Sequence, residues 1–305
     1  MGPVLSVAVF PTEPLADYCL LDSGAGQKLE RFGDLQLVRP DPQALWRPRL
    51  DQGEWDAADL HFRRESDRGG RWEPGPKASK SVARDGFSWN VGHQGASFIL
   101  RPTPFKHVGF FPEQAGNWQW LVGPDQKPNQ TMLNLFGYTG VASVLGVVRG
   151  FHVTHVDASR QSLSWAIENL VASGLAQDSM RVICDDALAF ARREVRRGKL
   201  YDAIMMDPPH YGRGPKGELW RLEEGLEPLI ECALQLLAPG GRLVLSTYAV
   251  GHSPLTLQEM VRVHAQPGDD FSAAELALGE EAREGLDSRL LPAGFGVRLR
   301  RERGA

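Results

Sequence analysis

The chain has 305 residues, 42% hydrophobic and 24% charged, with a formal net charge of -4. That balance excludes a wholly disordered or collagen-like chain, and it argues against a protein that coats nucleic acid indiscriminately. Cysteines stand only at 19, 184 and 232, with no Cys-x-x-Cys pair. We therefore expect neither a disulfide framework nor a zinc site, no metal of any kind, and a reducing, cytoplasmic setting. The N-terminus lacks a basic start followed by an apolar run, so no secretory signal is expected. The most apolar stretch, Met132 to Val148, is too short and too glycine-broken to span a membrane.

Up to about residue 104 the sequence is rich in Gly, Pro, Trp and Arg and has no long helical period. Short alternating runs lie at Leu35–Val38, Phe87–Val91 and Ala96–Leu100. They predict a small β-rich domain over 1–104. Arg68–Lys80, a Gly/Pro/basic stretch, reads as a loop. From Leu60 to Lys106 nine Lys/Arg face four Asp/Glu. Arg63, Arg64, Arg68, Arg71, Lys77, Lys80 and Arg84 either follow a phosphate backbone or form a solvated face. Trp72 and Trp89 are either stacking platforms or core residues.

From about Gln130 the pattern alternates. Strands are expected at Met132–Phe136, Val153–Val156, Met180–Cys184, Tyr201–Met206 and Arg242–Thr247. Helices are expected at Val141–Val148, Ser162–Ala172, Ala187–Arg197 and Leu222–Leu237. Further on, Leu257–His264 reads as a helix, and Glu275–Leu278 with Phe295–Arg300 as a closing pair of strands. This succession predicts an α/β domain over 105–305: a Rossmann-like, doubly wound, mostly parallel seven-stranded sheet. Ligands of such sheets bind at the carboxyl ends of the strands, and the chemistry-bearing residues fall there.

The first strand runs into Asn134-Leu135-Phe136-Gly137-Tyr138-Thr139-Gly140. A glycine-bearing turn lets backbone approach a ligand, but these two glycines do not form the Gly-x-Gly-x-x-Gly that a nicotinamide cofactor requires. The second strand ends in Asp157-Ala158-Ser159. Its acid either accepts hydrogen bonds from ribose hydroxyls, or Asp157 or Ser159 caps the next helix. The third ends in Asp185-Asp186-Ala187, again a ligand-amine acceptor or a cap. The fourth ends in Asp207-Pro208-Pro209-His210-Tyr211. Two prolines stiffen this backbone and expose carbonyls, so the acid, carbonyls and ring together suit a planar amine. His210 is either a proton acceptor or an exposed loop residue.

These motifs resemble those of class I S-adenosylmethionine-dependent methyltransferases, over about residues 106–250, and within them the bacterial large-subunit ribosomal RNA methyltransferase branch. The resemblance implies S-adenosylmethionine as cofactor, held by 134–140, by Asp157-Ala158-Ser159, by Asp185-Asp186-Ala187 and by Asp207. It implies that Asp207 to Tyr211 form the catalytic loop. The stretch Lys106-His-Val-Gly109-Phe-Phe111-Pro-Glu-Gln114 is similar to a cofactor-touching peptide of that branch, which adds Phe111 and Gln114. Departures are Asn134 where an Asp is common, and Leu245-Ser-Thr-Tyr-Ala249 where the cytosine-C5 enzymes carry a cysteine. Serine is far the weaker nucleophile, so nitrogen methylation of an RNA base, ribosomal RNA first, is the expectation. A methyltransferase of a protein side chain or small molecule, a non-catalytic S-adenosylmethionine-binding protein and a nicotinamide oxidoreductase are the alternatives. No membrane partner is expected, and the sequence does not fix the oligomeric state.

Overall fold

The computed structural model describes residues 7–10, 15–66, 69–76, 78, 82, 84, 86–123, 127, 129–249, 251–284 and 287–303. The chain divides into two compact units. One comprises Met1–Pro11, Gly116–Leu276 and Gly294–Ala305; the other comprises Thr12–Ala115 and Ala277–Ala293. The division therefore differs from a cut at 104. The first strand joins the larger unit, and a late segment returns to the smaller one.

The larger unit is built on a mixed sheet of eight strands where seven were expected, in the order β1-β16-β17-β15-β12-β9-β10-β11. Its parallel centre is β9 (Thr131–Leu135), β10 (His152–Asp157), β11 (Met180–Cys184), β12 (Tyr201–Met206) and β15 (Leu237–Thr247). β17 (Leu290–Arg300) pairs antiparallel with β15, and the extra strand β1 (Val9–Phe10) pairs parallel with β16 (Asp270–Gly279). The sequence lacked a signal for β1 because two residues carry no alternation.

The period of two decides what each face buries. On β9, Leu133 and Leu135 enter a core with Ile204, Met206, Leu243 and Leu245, closed by α5 (Ala187–Arg196), α6 (Leu222–Leu236) and α7 (Pro254–His264). Each fully buried leucine there contributes roughly 1.5–3 kcal/mol. Met132 and Asn134 face the other way, against α3 (Val141–Val148). Short side chains starting α4 (Arg160–Ala172), α5 and α7 accept their first free amides: Ser159 from Ser162, Asp186 from Ala189 and Ser253 from Thr256.

The smaller unit holds a five-stranded sheet: β2 (Tyr18–Gly24), β3 (Gln27–Phe32), β4 (Leu35–Pro40), β5 (Leu60–Ser66) and β6 (Gly69–Pro74). It also holds a hairpin of β7 (Trp89–His93) and β8 (Ala96–Leu100). Thus Gly69–Pro74 is a strand, not a loop. Its pairing with β5 outweighs the glycine and proline content, and both glycines sit where a Cβ would strike backbone of Pro104 or Arg63. Leu278 and Leu291 pack with Leu20 and Ala44, and Arg289 bridges Asp22 and Glu280, each at 2.8 Å. These contacts hold 277–293 in this unit. Buried Glu30 accepts from Arg39 at 2.6 and 2.7 Å and from Tyr18 at 2.9 Å. Burial alone would raise its pKa, but Arg39 and Lys28 bring it down to about 2.

Candidate functional site

Four strand ends meet at one edge of the large sheet. Met206 stands beside Leu135, Leu135 beside Val156, and Asp157 beside Cys184. Asp207, the turn 136–140, Asp157 and the pair Asp185-Asp186 are therefore neighbours along one line. The chain switches direction between β9 and β12, where an open α/β sheet leaves its binding crevice.

The turn after β9 is tightly determined. Phe136 and Tyr138 hold left-handed backbone at φ 57° and 49°, and Gly140 at φ 80° starts α3. The two non-glycine positions are costly on their own. Hydrogen bonds over-determine them: the Gly137 amide donates to Val156 O at 3.0 Å, Gly140 to Gly137 O at 2.9 Å, and the Asn169 amide to Thr139 O at 2.8 Å. Asp157 accepts from Tyr138 N at 2.8 Å through one oxygen and from Ser159 N at 2.8 Å through the other. Ser159, not Asp157, caps α4. The Asp157 carboxylate therefore keeps lone pairs for a ligand hydroxyl. Burial pushes its pKa up, and the amides of Ser159, Tyr138 and Ala158 oppose that. Burial and Asp157 push the Tyr138 phenol up to about 12.

Beneath the turn lies a chain of side chains that sequence reasoning missed. The Asn134 amide donates to Ser143 Oγ at 2.8 Å, and Ser143 Oγ lies 2.9 Å from His155 Nδ1. The Ser143 hydroxyl donates to Nδ1 when the ring proton is on Nε2, and accepts from it in the other tautomer. Nε2 is buried and makes no hydrogen bond, and the Tyr138 backbone lies close enough to the ring to favour its protonated form. Gly137 rests on this ring.

Burial holds the His155 pKa down at about 4, against an ordinary value near 6.5. The folded state thus binds fewer protons than the unfolded one between these values, so stability present above pH 6.5 is lost as pH falls toward 4. We expect about 2 kcal/mol of this loss between pH 6.5 and 5 to come from His155. Denaturant titrations at the two pH values check it. His155→Gln should lose less stability than the parent over that interval, and an equal loss contradicts the assignment.

Asp186 caps α5 through Oδ1, so its local role is structural, while Asp185 pairs with Arg193. Asp207 Oδ1 accepts from Ser246 Oγ at 2.9 Å, from the adjacent strand β15. The proline carbonyls are not all open, contrary to expectation: Pro209 O accepts the Trp220 indole N–H at 2.7 Å, and His210 O accepts Leu222 N–H at 3.0 Å. The first bond comes from a hairpin of β13 (Tyr211–Arg213) and β14 (Leu219–Arg221), the second from the first residue of α6. Trp220 is buried, 4.8 Å from the Phe136 ring and against Gly225 of α6, so it joins the proline loop to the glycine turn. His210 is exposed, its Nε2 2.7 Å from Glu223. Tyr211 is 54% exposed, which leaves its ring open for stacking.

Phe111 and Gln114 lie in the smaller unit, Gln114 buried at the end of a 3-10 turn over Pro112–Gln114. The Trp72 indole donates to Thr103 O and the Trp89 indole to Phe32 O, so both are anchored. Arg63 pairs with Glu73, and Arg71 with Glu65 and Glu73, exposed ion pairs that involve two of the seven cations of the expected phosphate-tracking run. Arg68, Lys77 and Lys80 lie outside the described residues. Among the described residues, no helix is long and apolar enough to cross a membrane.

No family model matches the chain. A ribosomal RNA large subunit methyltransferase K/L of Syntrophotalea carbinolica is 30% identical over 178 residues, 58% of this chain and 24% of that protein. A ribosomal RNA large subunit methyltransferase I of Pseudoalteromonas translucida is 30% identical over 182 residues, 58% of this chain and 42% of that protein. The chain thus spans less than half the length of either curated relative. The structure of SMU.776, solved with SAH, gives a TM-score of 0.69 at 17% identity over 94% of this chain and 76% of that one, a likeness of fold. A SAM-dependent methyltransferase from Agrobacterium tumefaciens gives a TM-score of 0.88 at 39% identity, over 98% of this chain and 94% of that one. On that breadth and identity, the chain belongs to the S-adenosylmethionine-dependent methyltransferases.

Proposed function

We propose that this protein transfers a methyl group from S-adenosylmethionine to a nitrogen of an RNA base, with ribosomal RNA as its substrate. The observation that carries the reading is the line of strand ends, in which a tight glycine turn, the half-buried Asp157 and an Asp-Pro-Pro loop are neighbours. The names of the curated relatives support the RNA substrate.

The residues fit the cofactor. Asp157 has lone pairs for the ribose hydroxyls beyond its two amide bonds. Gly137 and Gly140 let the turn 136–140 lie close on His155 and Ala166, where a Cβ would clash. Ala158, Ser159 and the 185–187 segment would border the adenosine of a bound cofactor. The sulfonium supplies an activated methyl group when bound, so the protein's task is alignment more than acid–base chemistry. Well-oriented pairs gain roughly 7–11 kcal/mol in this way. Asp207, held by Ser246, accepts an N–H of the target and aims its lone pair; Pro208 lends its carbonyl; Tyr211 stacks on the base plane. His210, steadied by Glu223, accepts the proton that the methylated nitrogen sheds. A thiol adduct at carbon 6 is disfavoured. Ser246 and Thr247 are fully buried at the end of β15, and Cys232 lies on α6 with burial raising its pKa.

The test is transfer of tritium from labelled S-adenosylmethionine to RNA from a deletion strain, followed by nucleoside analysis. A labelled N-methyl nucleoside in ribosomal RNA is expected. Label in protein or small molecules with none in RNA overturns the substrate.

A further inference from the structure

The β13–β14 hairpin has two unlike faces. Antiparallel pairing sets Tyr211 opposite Arg221, Gly212 opposite Trp220 and Arg213 opposite Leu219. Residues two apart share a face, and so do directly paired residues. One face therefore carries Gly212 and Trp220, seated on Pro209 and Gly225. The other carries Tyr211, Arg213, Leu219 and Arg221, all exposed, with exposed Lys216 at the tip. Tyr211 and Leu219 are 54% and 49% exposed, so a cross-strand patch of apolar surface lies between cations.

The charge is equally uneven. Arg213, Lys216 and Arg221 stand against one acid on the hairpin, Glu218, whose carboxylate accepts the Lys216 backbone amide at 2.8 Å. Arg221 reaches Glu224 at 3.2 Å, an exposed pair worth little. The helix that follows presents Glu223, Glu224, Glu227 and Glu231 to solvent, so a polyanion is favoured on the hairpin and repelled from the helix. An exposed aromatic interleaved with cations, on rigid two-stranded backbone, suits unstacked bases and their phosphates.

We infer that the solvent face of Tyr211–Arg221 is a docking ribbon for single-stranded RNA flanking the target base. This rests on the proposed base methylation and names the surface that selects its substrate. Tyr211 directly continues the Asp207-Pro-Pro-His loop, so a base stacked there lies at the start of the strand that the ribbon grips. Arg213 and Lys216 hold the neighbouring phosphates. A duplex buries its bases and gains only the charge contacts.

The experiment uses the full chain, a short fluorescein-labelled single-stranded oligoribonucleotide of mixed sequence, and a salt series followed by anisotropy. The variant is Arg213→Gln with Lys216→Gln, both exposed and outside the cofactor turn. We expect its RNA affinity at low salt to fall about tenfold or more. The slope of log affinity against log salt should shrink by about 1.4, the loss of two phosphate contacts on a single strand. Its calorimetric affinity for S-adenosylhomocysteine should match the parent. Parent that binds the oligonucleotide and a variant that binds it equally, with the same slope, overturns the ribbon while leaving the methylation reading intact. Parent that binds no single-stranded RNA at low salt overturns the RNA reading beneath it. Equal parent binding to a duplex of the same sequence, or full competition by poly-glutamate at equal charge, also overturns the assignment.

Discussion

Asp207→Ala is expected to lower kcat for methyl transfer about 100-fold while leaving cofactor affinity within about threefold. The carboxylate is fixed by Ser246 at 2.9 Å, at the end of a strand whose neighbour β9 carries the glycine turn. On the proposed mechanism its removal leaves the acceptor nitrogen without the bond that aims it, and misalignment of about 1 Å is enough for a loss of that size. Asp207→Asn, which keeps an oxygen toward the target, should retain more activity than Ala. Steady-state rates with labelled cofactor check this, and an unchanged kcat in Asp207→Ala removes Asp207 from the mechanism. Ser246→Ala removes one bond to the carboxylate without deleting it, so a smaller fall is expected there.

Gly137→Ala should abolish measurable cofactor binding. A Cβ at this position would stand 3.0 Å from His155 Nε2 and nearer still to Cε1 and Nδ1. His155 has little room to yield, because it is fully buried and Ser143 Oγ, itself held by Asn134, fixes its Nδ1. The turn must therefore rise, and the rise breaks the bond from the Tyr138 amide to Asp157. Gly137→Ala combined with His155→Ala removes the obstacle and should recover part of the affinity. Calorimetry on the three variants reads the outcome. If Gly137→Ala binds like the parent, the close approach has no functional weight.

The glycine turn and the three acid-bearing strand ends were readable in the sequence because each follows a short apolar run and ends in a residue that breaks it. Thr131–Leu135 and Tyr201–Met206 fall within a residue of the expected strands. The supports beneath them were not readable. Asn134, Ser143 and His155 come from β9, α3 and β10, and nothing in local spacing announces that three polar residues will meet in a core. The β13–β14 hairpin hid for a different reason. Its strands are three residues each, one holds glycine, and Trp220 looks like any core tryptophan until its indole finds Pro209. In the smaller unit, Lys28, Glu30 and Arg39 are buried within strands, so the hydrophobic alternation that reveals a sheet is interrupted by charges that satisfy one another. The stretch 277–293 read as part of the last domain by sequence order, and only the contacts of Leu278, Glu280, Arg289 and Leu291 return it to the other unit.

The most direct measurement is the calorimetric affinity of S-adenosylhomocysteine for the parent and for Asp157→Ala. Asp157 is the one acid in the line of strand ends that both steadies the glycine turn and keeps lone pairs for a ribose. The loss of two hydrogen bonds to a charged acceptor, at roughly 1.5–3 kcal/mol each, corresponds to about 100-fold or more in Kd. Parent binding with that loss in the variant is the expected result. Equal affinity in the two proteins contradicts the placement of the cofactor at these strand tips.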